Sequence, residues 1–257
     1  MSIVIEGKTT FQYRAEIGPS IIEPGLIMYF DPNNTDSYPG TGTAVTNIAP
    51  ASTNNGVNGT LDAASMYVDP AGSAAYFRVR SDSVVQRLEL SSTISRDADD
   101  GSTTIMFYFW SNYDGTGQYG NSQAFFGGKY TNYMAIRGGT DGTYGAEAET
   151  NGGDDGNHDY MANENNVFAT GSWQSWTNVI DGGVSSNYFN GTLHGTTYPM
   201  ANNAVHSFSR LGSSSTGTGS GNRGGDIRMG ALLMYNRALT ATEVRRNLSL
   251  LDRRFRD

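Results

Sequence analysis

Two uninterrupted apolar runs constrain the fold more than any other feature of the sequence. Leu26–Phe30 ("LIMYF") runs directly into Asp31, Pro32 and a polar loop, and "TTIMFYFWSN" extends from Thr103 to Asn112. A run without polar alternation is typical of a strand that is covered on both faces. Proline removes a backbone donor, so the first strand ends there for local reasons. The two runs predict inner strands of a sandwich whose connections cross its rim in water.

The composition favours strands and turns and excludes several classes of function. Gly supplies 33 of the 257 residues, well above the typical share of about 7 %. A net charge of −8 argues against a nucleic-acid partner, because phosphate binding needs a basic face. No apolar run approaches the roughly 18 residues of a membrane span. With no cysteine, disulfides and thiolate-bound zinc are excluded. The first residues lack the pattern of a secretory signal.

Short strands and tight turns follow one another along most of the chain. Asn190–Gly191, between two strand-like runs, is a strong hairpin signal. Only the end is helical in pattern, since Thr240 and Glu243 have the spacing of a capping box and apolar residues then recur at helical intervals. The sequence therefore predicts an all-β, antiparallel two-sheet jelly-roll sandwich with one short C-terminal helix.

Two signatures resemble a known family. "GLIMYFDPNNTDSYPGTGT", from Gly25 to Thr43, resembles the start of laminin G-like (concanavalin A-like) jelly-roll domains, which are common in bacteriophage virion proteins. "YNRALTATE", from Tyr235 to Glu243, is similar to the closing signature of these domains, which precedes a helix. The strand from Trp173 and the Asn190–Gly191 hairpin match in the family's order. The segment "AVTNIAPASTNN" departs from it, because the usual Trp and Asp-Leu-Ser-Gly-Asn are missing.

The resemblance implies a lead-in extension at 1–24 and a laminin G-like domain at 25–257 that includes a helix at 240–255. It implies a non-enzymatic bacteriophage virion structural protein, most specifically a capsid decoration (cement) or short fibre-type subunit on the particle surface. The alternative is a carbohydrate-binding, lectin-like adhesin domain of a phage or bacterial surface protein. Expected partners are capsid or tail subunits, further copies of the chain (a homo-oligomer) and host-surface glycans. The expected location is the virion, after synthesis in the host cytoplasm.

Catalysis finds little support in the sequence. Jelly rolls of this superfamily include glucanases, which need two carboxylates on one strand facing the cleft. Glu147 and Glu149 in "AEAET" would share a strand face, but the aromatic-flanked Glu-x-Asp-x-x-Glu pattern is absent. The histidines His158, His194 and His206 lie far apart and have no evident partners for zinc or nucleophilic chemistry. We therefore predict that the chain is not an enzyme.

Calcium is the one cofactor that the sequence leaves open. The loop "GGDDGNHDY" offers hard oxygen ligands of the type that calcium prefers, although without the EF-hand spacing. Laminin G-like domains often hold calcium at the sandwich rim, so the resemblance favours such a site, and a plain hydrophilic loop is the alternative. The candidate ligands are Asp154, Asp155, Asn157 and Asp159.

Aromatic and arginine residues supply the remaining candidates. Trp110, Trp173, Trp176 and many of the 15 tyrosines could stack on sugars. Aromatic side chains dominate sandwich interiors, so we predict that most of them are core or strand-pair residues. The better exposed candidates for ligand binding lie near Gly-rich loops: Tyr113, Tyr119, Tyr130 and Tyr133. The C-terminal helix should pack its apolar stripe on the sandwich and turn its basic face toward a neighbouring acidic subunit. The predicted subunit contacts are Arg245, Arg246, Arg253 and Arg254.

Overall fold

Two antiparallel sheets, each of eight strands, pack face to face over an apolar core in the described part of the chain. The computed structural model describes residues 20–71, 73–79, 86–97, 101–111, 122–127, 133–138, 143–150, 159–169, 171–199, 205–212 and 227–256. The predicted all-β, two-sheet sandwich is therefore confirmed. None of the helices among these residues is long and apolar enough to cross a membrane.

Within the described ranges the strands are numbered in chain order. They lie at Leu26–Phe30 (β1), Ala44–Val45 (β2), Gly59–Leu61 (β3), Tyr67–Val68 (β4), Tyr76–Val79 (β5), Leu88–Asp97 (β6), Thr103–Ser111 (β7), Ser122–Gly127 (β8), Tyr133–Gly138 (β9), Thr143–Thr150 (β10), Asp159–Ala169 (β11), Trp173–Asp181 (β12), Val184–Phe189 (β13), Thr192–Pro199 (β14), Val205–Leu211 (β15) and Ile227–Tyr235 (β16). A 3-10 turn lies at Ala64–Met66, and one helix, α1, lies at Ala241–Arg256.

The sheets differ in what covers them. The first sheet has the order β14-β13-β12-β7-β16-β5-β4, and β1 pairs with β16 beside β5. The second has the order β11-β10-β9-β8-β15-β6-β3-β2. The inner faces of both sheets form the main core, while the outer face of the first sheet carries α1 over a second apolar cluster. The first sheet is thus buried on both sides where α1 lies.

This double burial explains the uninterrupted apolar runs. In β7, Ile105, Phe107 and Phe109 belong to the core between the sheets, whereas Met106 and Tyr108 belong to the cluster under α1. Successive side chains of a strand point to opposite faces, so a strand covered on both faces needs apolar residues on each of them. The prediction of an inner strand is confirmed for β1 and β7 by this arrangement.

The polar loop after β1 is exposed at many positions, as predicted, but several of its polar side chains are buried. Asp31 and Ser37 are completely buried, and Tyr38 and Asn47 are nearly so. The Asn47 side chain forms hydrogen bonds to the backbone of β1 that a neighbouring strand would otherwise form. Its oxygen accepts from the Tyr29 N–H at 2.9 Å, and its amide nitrogen donates to the Ile27 carbonyl at 3.0 Å. Buried backbone groups need partners, and side-chain amides supply them here.

The Asn190–Gly191 hairpin joins β13 and β14 as predicted. Both residues have positive φ angles, 50° and 75°. A two-residue hairpin turn of type I′ requires a positive φ at both central positions. Gly191 also lies against α1, because a Cβ built there would be 2.8 Å from Leu248 Cδ2. The turn therefore suits glycine for two independent reasons.

The start of α1 is fixed by the predicted capping box and by an arginine. The Thr240 N–H donates to Glu243 Oε2 at 2.9 Å, and the Glu243 N–H donates to Thr240 Oγ1 at 3.3 Å. Arg237 donates two hydrogen bonds to the Glu243 carboxylate, at 3.0 and 2.6 Å, and its Nε donates to the Pro24 carbonyl. The closing signature thus ties the end of β16, the helix and the chain before β1 together.

This cap predicts a pH dependence. The hydrogen bonds from Arg237, with those from Thr240, lower the pKa of Glu243 from 4.5 to about 2 against the effect of burial. The stabilisation is therefore fully present above about pH 4.5 and is lost as the pH falls through 2. Both side chains are partly exposed, so we expect about 1 kcal/mol or less. Glu243→Gln should flatten the fall in unfolding free energy between pH 5 and 2, measured by urea denaturation. Exposed Glu23→Gln is the control, and equal slopes in the two variants would contradict the assignment.

Candidate functional site

A groove of about 470 Å³ lies on the outer face of the first sheet, beside the C-terminal end of α1. The loop between β4 and β5 forms one wall, the turn before β12 another, and the end of α1 a third. Its volume falls within the range of about 300–1,000 Å³ typical of small-molecule sites. The groove is lined by Pro70, Ser73, Ala74, Tyr76, Trp110, Gly171, Ser172, Trp173, Arg228, Phe255 and Arg256.

The floor of the groove follows from strand register. Trp173 of β12 pairs with Trp110 of β7, and Trp110 pairs with Arg228 of β16. Residues directly opposite on neighbouring strands point to the same face, so these three side chains form a row across the sheet. Tyr76 joins the row from β5, where it stands two residues before Arg78, the strand partner of Arg228. All four members of the row are partly exposed.

The three aromatic rings of this row are held by edge-to-face packing. The Trp110 and Trp173 ring centroids are 6.0 Å apart at an interplanar angle of 79°, and those of Tyr76 and Trp173 are 6.4 Å apart at 68°. Trp173 also stacks on Tyr108 beneath it, at 5.5 Å and 13°. Such pairs stabilise ring positions by about 0.5–1.5 kcal/mol beyond burial. The groove is thus a preformed aromatic surface.

Close packing fixes Trp173 from the helix side as well. The Trp173 and Phe255 ring centroids are 4.8 Å apart. A Cβ on Gly230 would lie 2.9 Å from each of these rings, so glycine at this position lets the helix end and Trp173 approach the sheet.

The two arginines of the groove have different surroundings. Arg256 is paired: its Nε lies 2.8 Å from Asp252 Oδ1 and donates to the Tyr108 hydroxyl at 3.2 Å, and its Nη2 donates to the Trp173 carbonyl at 2.7 Å. Burial lowers the pKa of Arg256, but the hydrogen bond to Tyr108 and the charge of Asp252 outweigh it and raise the pKa. Burial, together with the hydrogen bond to Asp252, raises the pKa of Tyr108. Tyr108 is therefore a neutral donor.

Arg228 instead packs against two aromatic rings. Its guanidinium carbon lies 5.2 Å from the Tyr76 ring centroid and 5.0 Å from that of Trp110. Cation–π contacts of this kind position the charge without using its N–H groups as donors to oxygen. The groove can therefore offer aromatic faces together with hydrogen-bond donors.

The structure divides the three tryptophans between the core and the groove. Trp176 lies in the core, fully buried, with its indole N–H donating to Asn187 Oδ1 at 2.8 Å. Trp110 and Trp173 form a cross-strand pair at the surface of the groove, so they match the strand-pair part of the prediction and not its core part. Strand alternation was the signal that could have found them: Trp173 and Trp176 are three positions apart on β12 and so face opposite sides.

The predicted ligand-binding tyrosines and calcium ligands stay predictions. Tyr133 begins β9 and Asp159 begins β11, both in the second sheet and not in the sheet that bears the groove. Among the described residues, no three acidic or histidine side chains converge as a metal site requires. Glu147 and Glu149 lie on β10. The remaining candidates fall outside the described residues: Tyr113, Tyr119, Tyr130, Asp154, Asp155 and Asn157.

The predicted basic face of α1 is divided between internal contacts and solvent. Arg254 pairs with the buried Asp31 and donates to the Tyr29 hydroxyl at 3.0 Å, while Arg246 donates to the Ser20 carbonyl at 3.3 Å. Arg253 donates to a carbonyl of its own helix, and Arg245 is exposed. A role for these residues in subunit contact stays a prediction.

Comparison with known proteins identifies the fold. No family model and no curated protein matches the sequence. A Trypanosoma rangeli sialidase solved in complex with sialic acid matches with a TM-score of 0.59 and 8 % identity over 93 % of this chain. The receptor-binding domain of botulinum neurotoxin type G matches at 0.56, with 12 % identity over 88 % of this chain. The binding domain of botulinum neurotoxin DC in complex with SialylT matches at 0.54, with 12 % identity over 90 %.

The chain shares the β-sandwich fold of these proteins. It spans 35 % of the sialidase chain and 51 % and 52 % of the two neurotoxin chains. At these identities the likeness concerns the fold alone, and function has to be argued from the site.

Proposed function

We propose that the chain is a non-catalytic carbohydrate-binding domain whose ligand lies in the groove of Tyr76, Trp110 and Trp173. The observation that carries the proposal is the row of partly exposed aromatic rings in a groove of about 470 Å³. Aromatic faces pack against apolar C–H surfaces such as those of a sugar ring, while a few fixed polar groups set orientation. Arg228 and Arg256 supply those polar groups here.

The comparisons support this proposal over a purely architectural role. One structural neighbour was solved with sialic acid and another, a neurotoxin binding domain, with SialylT. Each contains a β-sandwich similar to this chain, within 35 % of the sialidase chain and 52 % of the neurotoxin chain. The groove gives this chain a surface of suitable chemistry.

The absence of catalysis is part of the proposal. Glycoside hydrolysis typically needs a pair of carboxyl groups flanking the bond, and no Asp or Glu is among the groove-lining residues of the described chain. Glu147 and Glu149 lie on β10 of the second sheet. Incubation of the purified chain with β-glucans and sialylated glycans should release no product. Turnover that Glu147→Gln abolishes would contradict this part of the proposal.

A glycan array tests binding directly. The purified, folded chain should bind a subset of immobilised glycans, and the same glycans in solution should compete for it. Binding to no glycan at protein concentrations up to about 1 mM, which corresponds to a binding free energy weaker than about −4 kcal/mol, would contradict the proposal.

We further propose that the chain is a component of a bacteriophage virion, as a decoration or fibre-type subunit. The opening and closing signatures support it, since both resemble those of virion jelly-roll domains. Quantitative mass spectrometry of purified particles should find the chain in many copies. Its absence from particles would leave an adhesin domain of a bacterial surface as the setting of the same groove.

A further inference from the structure

We propose that the sugar bound in the groove is acidic and that its carboxylate pairs with Arg228. This inference rests on the proposed function, because it names the ligand class of the same groove. It is carried by a charge that the described residues leave unbalanced at the groove floor.

Arg228 is the unbalanced charge. Its contacts are the rings of Tyr76 and Trp110, at 5.2 and 5.0 Å, and among the described residues its guanidinium has neither a carboxylate nor a hydrogen-bond acceptor. A guanidinium carries five N–H donors and no acceptor. No nitrogen of Arg228 is among the buried unpaired polar atoms of the described residues, so water can reach these donors in the free chain. A ligand that displaces this water has to bring acceptors of its own.

Arg256, the second arginine of the groove, differs from Arg228 because its charge is already paired. Arg256 already has Asp252, the Tyr108 hydroxyl and the Trp173 carbonyl as partners. The groove lining of the described chain holds two guanidiniums and no carboxylate, and Asp252 offsets only one of them. The local charge is therefore positive on a chain whose net charge is −8. A positive site on an acidic protein selects anions at close range, since charges beyond about 10 Å are screened.

The chemistry of the pair favours a carboxylate on a sugar. A planar guanidinium matches a carboxylate through two parallel N–H···O bonds, and such charge-assisted bonds are roughly twice as strong as neutral ones. The rings that hold Arg228 would meanwhile contact the sugar ring. Sialic and uronic acids combine both features in one residue.

The test uses an array in which every sialic and uronic acid glycan is present both as the free acid and as its methyl ester. The full chain should bind acids at least about tenfold more tightly than the matching esters, as expected for a charge-assisted hydrogen bond. Rising NaCl concentration should weaken binding of the acids and leave that of the esters unchanged. Arg228→Gln should remove the preference for acids over esters. Arg228→Lys should keep part of this preference, because lysine has the positive charge but lacks the two parallel N–H donors of a guanidinium.

The outcomes distinguish failure of the acidic-ligand inference from failure of the carbohydrate-binding proposal. Equal binding of acid and ester by the wild-type chain would overturn the acidic ligand and leave the carbohydrate-binding proposal standing. A preference that survives in Arg228→Gln would overturn the assignment to Arg228. Binding of no glycan, acid, ester or neutral, would overturn the proposed function and this inference with it. The salt dependence is measured on the wild-type chain, so the test does not depend on the variants folding.

Discussion

Replacing Asp31 by Ala should lower the free energy of unfolding by about 3 kcal/mol. The Asp31 carboxylate is completely buried and accepts from the Tyr29 hydroxyl at 2.7 Å, from the Asn33 N–H at 2.9 Å and from Arg254. Its removal leaves these donors without their acceptor and releases the end of α1 from β1. Urea denaturation measures the effect. Asp36→Ala, an exposed aspartate of the same loop, is the matched control and should change stability by less than about 0.5 kcal/mol.

A double-mutant cycle with Arg254→Ala isolates the ion pair within this effect. The Arg254 side chain is 41 % exposed, so water can solvate it and its own replacement should be the milder one. We expect a coupling free energy of about 1–2 kcal/mol, within the range measured for residues in direct contact. A coupling near zero, or an Asp31→Ala variant as stable as Asp36→Ala, would contradict the role of this pair in attaching the helix.

Trp110→Ala should weaken glycan binding about thirtyfold, which corresponds to about 2 kcal/mol. Trp110 is central in the groove, because it contacts both Trp173 and the Arg228 guanidinium. Its removal therefore takes away one aromatic face and one support of the charge. Isothermal titration calorimetry with a glycan selected from the array measures the loss.

The control for this prediction is another partly exposed aromatic residue of the same sheet. Tyr198 lies on β14, the edge strand at the far end of the first sheet from β5. Tyr198→Ala should bind the glycan as the wild-type chain does, and circular dichroism should show both variants folded. Equal affinities of Trp110→Ala and the wild-type chain would place the sugar site elsewhere.

The sequence predicted those features that arise from local chemistry. The apolar runs of β1 and β7, the Asn190–Gly191 turn and the Thr240–Glu243 capping box each follow from strand burial, turn geometry or helix-end hydrogen bonding, and each is confirmed. The two family-like signatures also have a structural explanation. They meet in space, because Leu26 pairs with Tyr235 and the Asn236 N–H donates to the Gly25 carbonyl at 2.9 Å.

What the sequence did not predict depends on contacts between distant segments. Asp31, Ser37 and Asn47 have the composition of an exposed loop, and only their partners make burial favourable. The groove likewise joins residues from β5, β7, β12, β16 and α1, which no local pattern connects. The sequence therefore predicted core or strand-pair positions for most of the aromatic residues together, although strand alternation places Trp173 and Trp176 on opposite faces.

The three tryptophans provide the most direct test of the central claim that the groove binds sugar. Their indole N–H resonances can be followed in ¹⁵N-labelled protein while an array-selected glycan is added, with assignment by Trp110→Phe and Trp173→Phe. Trp176 is buried in the core and bonded to Asn187, so it serves as an internal reference. We predict saturable shifts of Trp110 and Trp173 and none of Trp176. Saturable glycan binding that leaves both Trp110 and Trp173 unshifted would contradict the claim.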